Sequence, residues 1–422
     1  MHSRFVPSET ALVLGGGGAK GAYEIGVIDA LEELGIRASS AYGTSIGALN
    51  AAMYAQGRMD EARALWGSLR LSDVVTPQSI ELAEEAETVF SRPEKLLDFL
   101  SRNAQHRGID TQPMMDIIRA QIDEDRLRRS TTRFGLVVTR FPSLSMLEKH
   151  LADMAPGSVC DWLMASCSCF PAMPMMQIGG DRYLDGGFSD NVPVETAIRA
   201  GAKRIIAADI GRSRAHTRYD RRPNITYIRA SWPLGGLLAF DPETSRRNRI
   251  IGRLDTLRAF GHLRGVCYAF DPIDAQTLRS RAQEFVAMLT RFEAGMKIDA
   301  PLFAPLEEEL RPGADETDYF LRAVELCAKT LEIDPARIYT FSELRDAIRE
   351  SLPLEQAEAM LGSLLGGRIG VLFAPPQPDR KLVLACLYHL LRQEGSFSSL
   401  AMHTLCAFPR ELVCALTLRE IL

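Results

Sequence analysis

The sequence predicts an α/β fold, with a mostly parallel sheet sandwiched between helices and an additional C-terminal helical region. Three observations predict it. From residue 10 to about 210, short apolar runs alternate with helix-forming segments, the pattern of parallel strands covered on both faces. Two of those runs end in glycine-rich turns that lead directly into helix-forming sequence, as at the carboxyl edge of an open sheet. Beyond about residue 230 the strand-like runs give way to long helical patterns broken by proline and glycine.

The strands expected in order are Ala11–Leu14, Ala38–Tyr42, Phe134–Thr139, Arg182–Leu184, Arg204–Asp209 and Thr226–Ile228. Between Arg58 and Arg129 the alternation stops. Helix-like segments such as Met59–Trp66 and Pro93–Leu100 lie there, and the interval is too long for a plain loop, so residues 58–130 are expected to form a helical cap inserted into an α/β domain spanning 1–230. Turn residues at Pro233-Leu-Gly-Gly236 are followed by helices at Pro242–Leu263 and Asp274–Met296. Residues 231–300 are therefore expected to continue the first domain as helices packed on it. Thr317–Leu331, Phe341–Glu350, Leu354–Leu364, Arg380–Gln393 and Pro409–Leu422 make 301–422 an all-helical accessory region with no chemical motif and no fixed repeat. Its apolar helices could pack on the first domain, dimerise or dock on a membrane, and the oligomeric state is left open.

The most informative stretch is Ala11-Leu-Val-Leu-Gly-Gly-Gly-Gly-Ala-Lys-Gly21. An apolar run ending in glycines marks a buried strand that delivers bare backbone to a tight turn. Without Cβ atoms, Gly16, Gly17 and Gly18 can aim successive N–H groups at one point, beside the positive end of the following helix. A phosphate or the oxyanion of a tetrahedral intermediate would suit that point equally. Gly43-Thr44-Ser45-Ile46-Gly47 separates the two readings. It matches G-x-S-x-G, a sharp strand-to-helix turn in which small neighbours let a serine hydroxyl project from strained backbone. Ile36 to Tyr42 can supply the strand and Ala48 to Ala55 the helix, which places Ser45 at a helix N-terminus.

A serine nucleophile needs a base. None of the 7 histidines sits in a strand-end turn: His2 is terminal, His106 and His150 lie in charged stretches, His216 in an arginine-rich loop, and His262, His389 and His403 in late helical segments. Tyr183-Leu-Asp-Gly-Gly-Phe188 instead puts Asp185 just after a short strand, with Gly186 and Gly187 allowing close backbone approach. A desolvated carboxylate can act as general base because burial raises its proton affinity. Taken alone, Asp-Gly-Gly is equally a hairpin turn.

Gly16-x-Gly18-x-x-Gly21 after a strand is also a dinucleotide-binding fingerprint, but that reading needs an acidic residue at the end of the next strand, and Ile36 to Tyr42 contains none. A P-loop fails as well, since Lys20 is followed by glycine rather than serine or threonine.

These motifs, in this order, resemble those of patatin-like phospholipases, and the chain looks like a bacterial-type member. The resemblance rests on Gly16-Gly-Gly-Ala-Lys-Gly21, Gly43-Thr-Ser-Ile-Gly47 and Asp185-Gly-Gly187, supported by Ala165-Ser-Cys-Ser-Cys-Phe-Pro171 and Asp190-Asn-Val-Pro-Val194. It covers roughly the first two hundred residues. It implies a three-layer α/β fold, a Ser45–Asp185 dyad with serine as nucleophile and aspartate as proton acceptor, and an oxyanion hole built by the amides of Gly16, Gly17 and Gly18. Gly21, Gly43, Gly47, Gly186 and Gly187 support the motifs. Gly15 stands where plant members carry an aspartate, and Lys20 where many relatives have arginine; Lys20 would meet a headgroup as a point charge or stand solvated in the first helical turn. The implied reaction is serine-dependent hydrolysis of lipid carboxylic esters, of the phospholipase A or lysophospholipase kind, with no cofactor and no metal. A lipid acyltransferase using the same dyad and a non-catalytic lipid-binding scaffold are the alternatives.

Composition agrees with an ordinary soluble, multi-layered globular protein. The chain has 422 residues, 46% hydrophobic and 24% charged, enough for a large core and an accessory unit. A net charge of −5 gives no broad footprint for nucleic acid, which is excluded as a partner. Local patches can differ: Arg212, Arg214, Arg218, Arg221 and Arg222 could meet lipid phosphates or form a solvated loop. No run is long enough for a membrane span and the polar start lacks a secretory core, so a cytoplasmic location with peripheral membrane contact is expected. The 8 cysteines, Cys160, Cys167 and Cys169 among them, show no metal-ligand pairing and are expected as reduced thiols. Met173, Met175 and Met176 could line an acyl groove near Asp185 or pack in the core.

Overall fold

The computed structural model describes residues 9–91, 109–170, 172–211, 217–271, 273–296, 316–364, 379–392 and 408–422. Two compact units divide after Ala259: Met1–Ala259 and Phe260–Leu422.

In the first unit, β1 is Thr10–Leu14, β2 Ser40–Thr44, β3 Arg133–Phe141, β4 Ser145–His150, β5 Met176–Ile178, β6 Asp181–Asp185, β7 Arg204–Asp209 and β8 Ile225–Arg229. They form one sheet in the order β5-β6-β3-β2-β1-β7-β8, with β4 also paired to β3. The five strands β3, β2, β1, β7 and β8 are mutually parallel. At the other end, β4, β5 and β6 join by antiparallel pairing. Every residue of β1 is buried, as a central parallel strand covered on both faces requires. Ala11 and Val13 pack with Tyr42, Ile205, Ala207, Val194 and Ala197 on one face, while Leu12 and Leu14, displaced by the two-residue period, are equally buried on the other.

The helices of this unit are α1 Ala22–Glu33, α2 Ile46–Ala55, α3 Met59–Ser68, α4 Leu71–Val74, α5 Ile80–Ser91, α6 Gln112–Gln121, α7 Glu124–Arg129, α8 Val159–Ser166, α9 Val194–Arg199 and α10 Pro242–Ala259. α10 lies tightly along α1. The contact is close because Gly26 faces the backbone of α10 and Gly252 that of α1, and it is tied by the Tyr23 hydroxyl donating to Asp255 Oδ2 at 2.8 Å.

All six expected strands are present. β2 runs two residues further than expected, because the serine turn is tight enough for the ladder to continue to Thr44. β4 and β5 were not expected: β4 is exposed or half-buried throughout and lacks apolar alternation, and β5 has only three residues. The expected helix Pro93–Leu100 lies outside the described residues.

The second unit contains β9 Ala269–Phe270, α11 Ala275–Met296, α12 Glu316–Thr330, β10 Ile338–Tyr339, α13 Phe341–Ser351, α14 Leu354–Leu364, α15 Arg380–Arg392 and α16 Pro409–Ile421. The region expected as all-helical thus also carries β10, which pairs in parallel with β9 and is too short to leave a period in the sequence. Buried Glu325 of α12 accepts the amides of Val266, Cys267 and Tyr268 and pairs with Arg322 at 3.1 Å, so its charge is fully partnered.

Candidate active site

Ser45 joins β2 to α2 with φ 55 and ψ −130, a conformation that costs a residue with a Cβ on the order of 1–3 kcal/mol and persists only when neighbours enforce it. Several neighbours do. The Ser45 amide donates to Ser166 Oγ at 2.8 Å, and the Ser166 hydroxyl donates to the Val137 carbonyl at 2.7 Å, so a buried side chain from the end of α8 bridges the turn to β3. On the other side, a Cβ on Gly47 would lie 2.5 Å from the Leu14 carbonyl oxygen, and one on Gly43 would strike the Gly47 backbone. Both glycines are there because β1, the turn and α2 approach too closely for a side chain.

Asp185 ends β6. β2 runs parallel to β3 and stops with Thr44 opposite Val137, while β6 runs antiparallel to β3 and stops with Asp185 opposite Val138. The two strands therefore terminate head to head. Across the gap, Ser45 Oγ donates to Asp185 Oδ2 at 2.6 Å, and the Gly187 amide donates to Oδ1 at 2.7 Å. The Asp185 backbone is clamped by its amide donating to the Ser168 carbonyl at 2.9 Å and by Thr139 Oγ1 donating to its carbonyl at 2.9 Å. Gly186 passes so near the Val137 carbonyl that no Cβ fits. Only 5% of Asp185 is exposed, and burial pushes its carboxyl up to about 6, against the opposing pull of the Ser45 and Gly187 hydrogen bonds. The serine partner is a carboxylate with no histidine between them.

The glycine turn distinguishes its members. The Gly15 amide donates to Ala208 O at 3.1 Å, the Gly16 amide to Asn191 O at 3.0 Å and the Ala19 amide to Leu237 O at 2.8 Å. Gly17 and Gly18 have no acceptor for their amides among the described residues. Gly16, expected as a donor alongside them, is occupied; it lies against Ser45, where an added Cβ would sit 3.1 Å from the serine Cβ. Asn191 holds Gly16 a second time, its Nδ2 donating to the Gly16 carbonyl at 3.1 Å. Gly18 has φ 56, the left-handed region that favours glycine. Gly21 gives its space to the Trp66 ring, whose Nε1 donates to Asn50 Oδ1 at 3.0 Å while Asn50 Nδ2 donates to the Gly21 carbonyl. Lys20 is half-buried within the turn.

Ser166 and Asn191 were not singled out as site residues from the sequence. Their signal was only their place inside the Ala-Ser-rich segment and the stretch after Asp-Gly-Gly.

Burial raises the thiols of Cys167 and Cys169 above their ordinary range, and no group of metal-ligating side chains occurs among the described residues. Arg212 and Arg214 lie outside the described residues, whereas Arg218 pairs with Glu195 at 3.5 Å and stacks on Tyr219. Met173 is buried, and Met175 and Met176 are half-buried. Among the described residues no helix is long and apolar enough to cross a membrane.

The model of the family described as patatin-like phospholipase matches residues 12–198. Patatin-like phospholipase domain-containing protein ZK370.4 of Caenorhabditis elegans is 29% identical over 215 residues, covering 50% of this chain and 14% of that protein. Lysophospholipase NTE1 of Yarrowia lipolytica is 26% identical over 308 residues, covering 71% of this chain and 20% of that protein. The chain thus spans only a minor part of these curated relatives. The crystal structure of VipD from Legionella pneumophila covers 99% of this chain and 90% of its own at 15% identity and a TM-score of 0.40, a loose likeness. The matched segment begins in β1 and ends in α9, so the part of the chain that is similar to the patatin-like phospholipase family encloses the glycine turn, the serine turn and Asp185.

Proposed function

We propose that this protein hydrolyses lipid carboxylic esters, of the phospholipase A or lysophospholipase kind, through a Ser45–Asp185 dyad. The observation that carries the reading is the 2.6 Å hydrogen bond from Ser45 Oγ to a buried carboxylate whose proton affinity is raised toward neutrality. Asp185 Oδ2 takes the Ser45 proton as Oγ attacks the ester carbonyl carbon. The carbonyl oxygen becomes an oxyanion facing the amides of Gly17 and Gly18, with the first turn of α2 adding its positive end. Asp185 returns the proton to the departing alcohol, leaving an acyl-Ser45 ester. Water then attacks that ester, giving its proton to Asp185, and Ser45 leaves by reclaiming it. The Gly187 amide on Oδ1 orients the carboxylate so that Oδ2 faces the serine throughout. Nothing in these steps calls for a metal or cofactor.

Residues 1–230 supply this chemistry in our reading, with 58–130 as a cap beside it. The match to a lysophospholipase over part of its length favours a glycerophospholipid substrate reached by peripheral contact with a membrane.

The test is fluorophosphonate labelling and p-nitrophenyl ester turnover by wild type, Ser45→Ala and Asp185→Asn. Labelling should vanish in Ser45→Ala, and turnover should drop by ~10³-fold or more in both variants. Undiminished turnover in either variant would refute the dyad. Products formed from phospholipid with added glycerol or lysolipid distinguish hydrolysis, which yields free fatty acid, from acyl transfer, which yields a new ester.

A further inference from the structure

We infer that Glu87, on α5, is a positioning residue that holds the oxyanion-binding turn in place from the side of the inserted helices. Its effect on catalysis rests on the proposed function above; its effect on the turn does not.

The connection can be followed bond by bond. Glu87 Oε1 accepts the Leu237 amide at 3.0 Å and Oε2 accepts the Leu238 amide at 2.7 Å, so one carboxylate grips two successive backbone donors. Such charge-assisted bonds are about twice as strong as a neutral pair. Gly236, just before them, leaves room for the carboxylate, since an added Cβ would run into it. The Leu237 carbonyl then accepts the Ala19 amide at 2.8 Å and fills the space where a side chain on Gly18 would stand. Gly18 is one of the two residues whose amides lack an acceptor among the described residues, and Ala19 is its neighbour. Glu87 therefore fixes Leu237, and Leu237 fixes the turn.

A second side chain from the same inserted stretch braces the same loop. Trp66 of α3 stacks on Phe240 with ring centroids 6.4 Å apart and also packs on Gly21 at the far end of the turn. Residues 236–240 are thus held between two helices of the insertion and the glycine turn. Truncating Glu87 removes both acceptors from Leu237 and Leu238, frees the Leu237 carbonyl to turn, and lets Gly17 and Gly18 drift. A displacement of about 1 Å in a catalytic group can cost ~10²-fold in rate. That loss falls on the transition state, where the oxyanion exists, and spares ground-state binding.

The experiment compares wild type with Glu87→Ala, Glu87→Gln and the exposed same-helix control Glu84→Gln. It measures amide hydrogen exchange across residues 16–21 together with kcat and KM for a short-chain ester. In Glu87→Ala we expect exchange at Ala19 to quicken by about tenfold or more and kcat to fall ~10–100-fold, with KM within about threefold of wild type. Glu87→Gln keeps one acceptor oxygen and should fall between; it also serves if Glu87→Ala does not fold. Glu84→Gln should match wild type. Unchanged exchange at Ala19 in a folded Glu87 variant overturns the inference whatever happens to activity, and so does a change confined to KM. Retained turnover in Ser45→Ala would instead refute the serine mechanism, and the exchange measurement would still decide whether Glu87 holds the turn.

Discussion

Thr44 and Asp185 end their strands opposite successive residues of β3, Val137 and Val138. That register is why a serine and an aspartate 140 positions apart meet at 2.6 Å. One strand is parallel to β3 and the other antiparallel, so both deliver their C-terminal residues to the same point. Val137 also receives the Ser166 hydroxyl and leaves no room for a Cβ on Gly186, so a single β3 residue supports both halves of the pair.

The pH dependence of acylation should follow Asp185. In the proposed dyad only the ionised carboxylate takes the serine proton, and burial pushes its titration up to about 6. Labelling by a fluorophosphonate is therefore expected to rise with pH through about 6 and level off above 7. Asp190 is also raised to about 6 by burial, so the profile should be repeated in Asp190→Asn. A midpoint that disappears with Asp190 would assign the titration to the wrong carboxylate.

Stability should show the same group with the opposite consequence. A folded value of about 6 against the ordinary 3.8 means that the native state binds this proton more tightly than the unfolded chain. The contribution is complete below 3.8 and lost as pH rises through about 6, amounting to about 3 kcal/mol at 1.36 kcal/mol per unit. Denaturant unfolding of wild type and Asp185→Asn should thus converge in acid, with the variant gaining relative stability toward pH 7.5. A difference that is flat with pH would mean that Asp185 is not buried as described.

Ser166→Ala should impair the site without touching the reacting atoms. It strands the Ser45 amide and one acceptor site of the Val137 carbonyl in a buried setting, at a cost of roughly 1–3 kcal/mol. The strained turn then loses one restraint, and turnover should fall by about tenfold. Chemical denaturation with parallel kinetics checks this, and wild-type values for both would remove Ser166 from the account.

Gly18→Ala and Gly157→Ala form a matched pair. Both glycines have positive φ, 56 and 83, but an added Cβ meets the Leu237 carbonyl at Gly18 and nothing within 4 Å at Gly157. Gly157→Ala should cost only the left-handed penalty of about 1–2 kcal/mol and leave turnover intact. Gly18→Ala should cost more and reduce turnover by ~10²-fold or more, since it displaces a proposed oxyanion donor. Equal effects at the two positions would refute the tight seating of the turn.

By itself the sequence determined what is local. A glycine run after an apolar strand, a serine between Gly43 and Gly47, and an aspartate before two glycines each carry their meaning within a few residues. Helical period and breakers placed the expected Leu354–Leu364 at the bounds observed. Tertiary structure decided everything that depends on partners far along the chain. It chose Gly17 and Gly18 over Gly16 as the open donors, because Asn191 accepts the Gly16 amide. It added Ser166 and Glu87, whose roles lie in backbone groups they reach from other elements. It also set the basicity of Asp185, because proton affinity follows exclusion of water, and water is excluded only once β2, β3 and β6 are aligned.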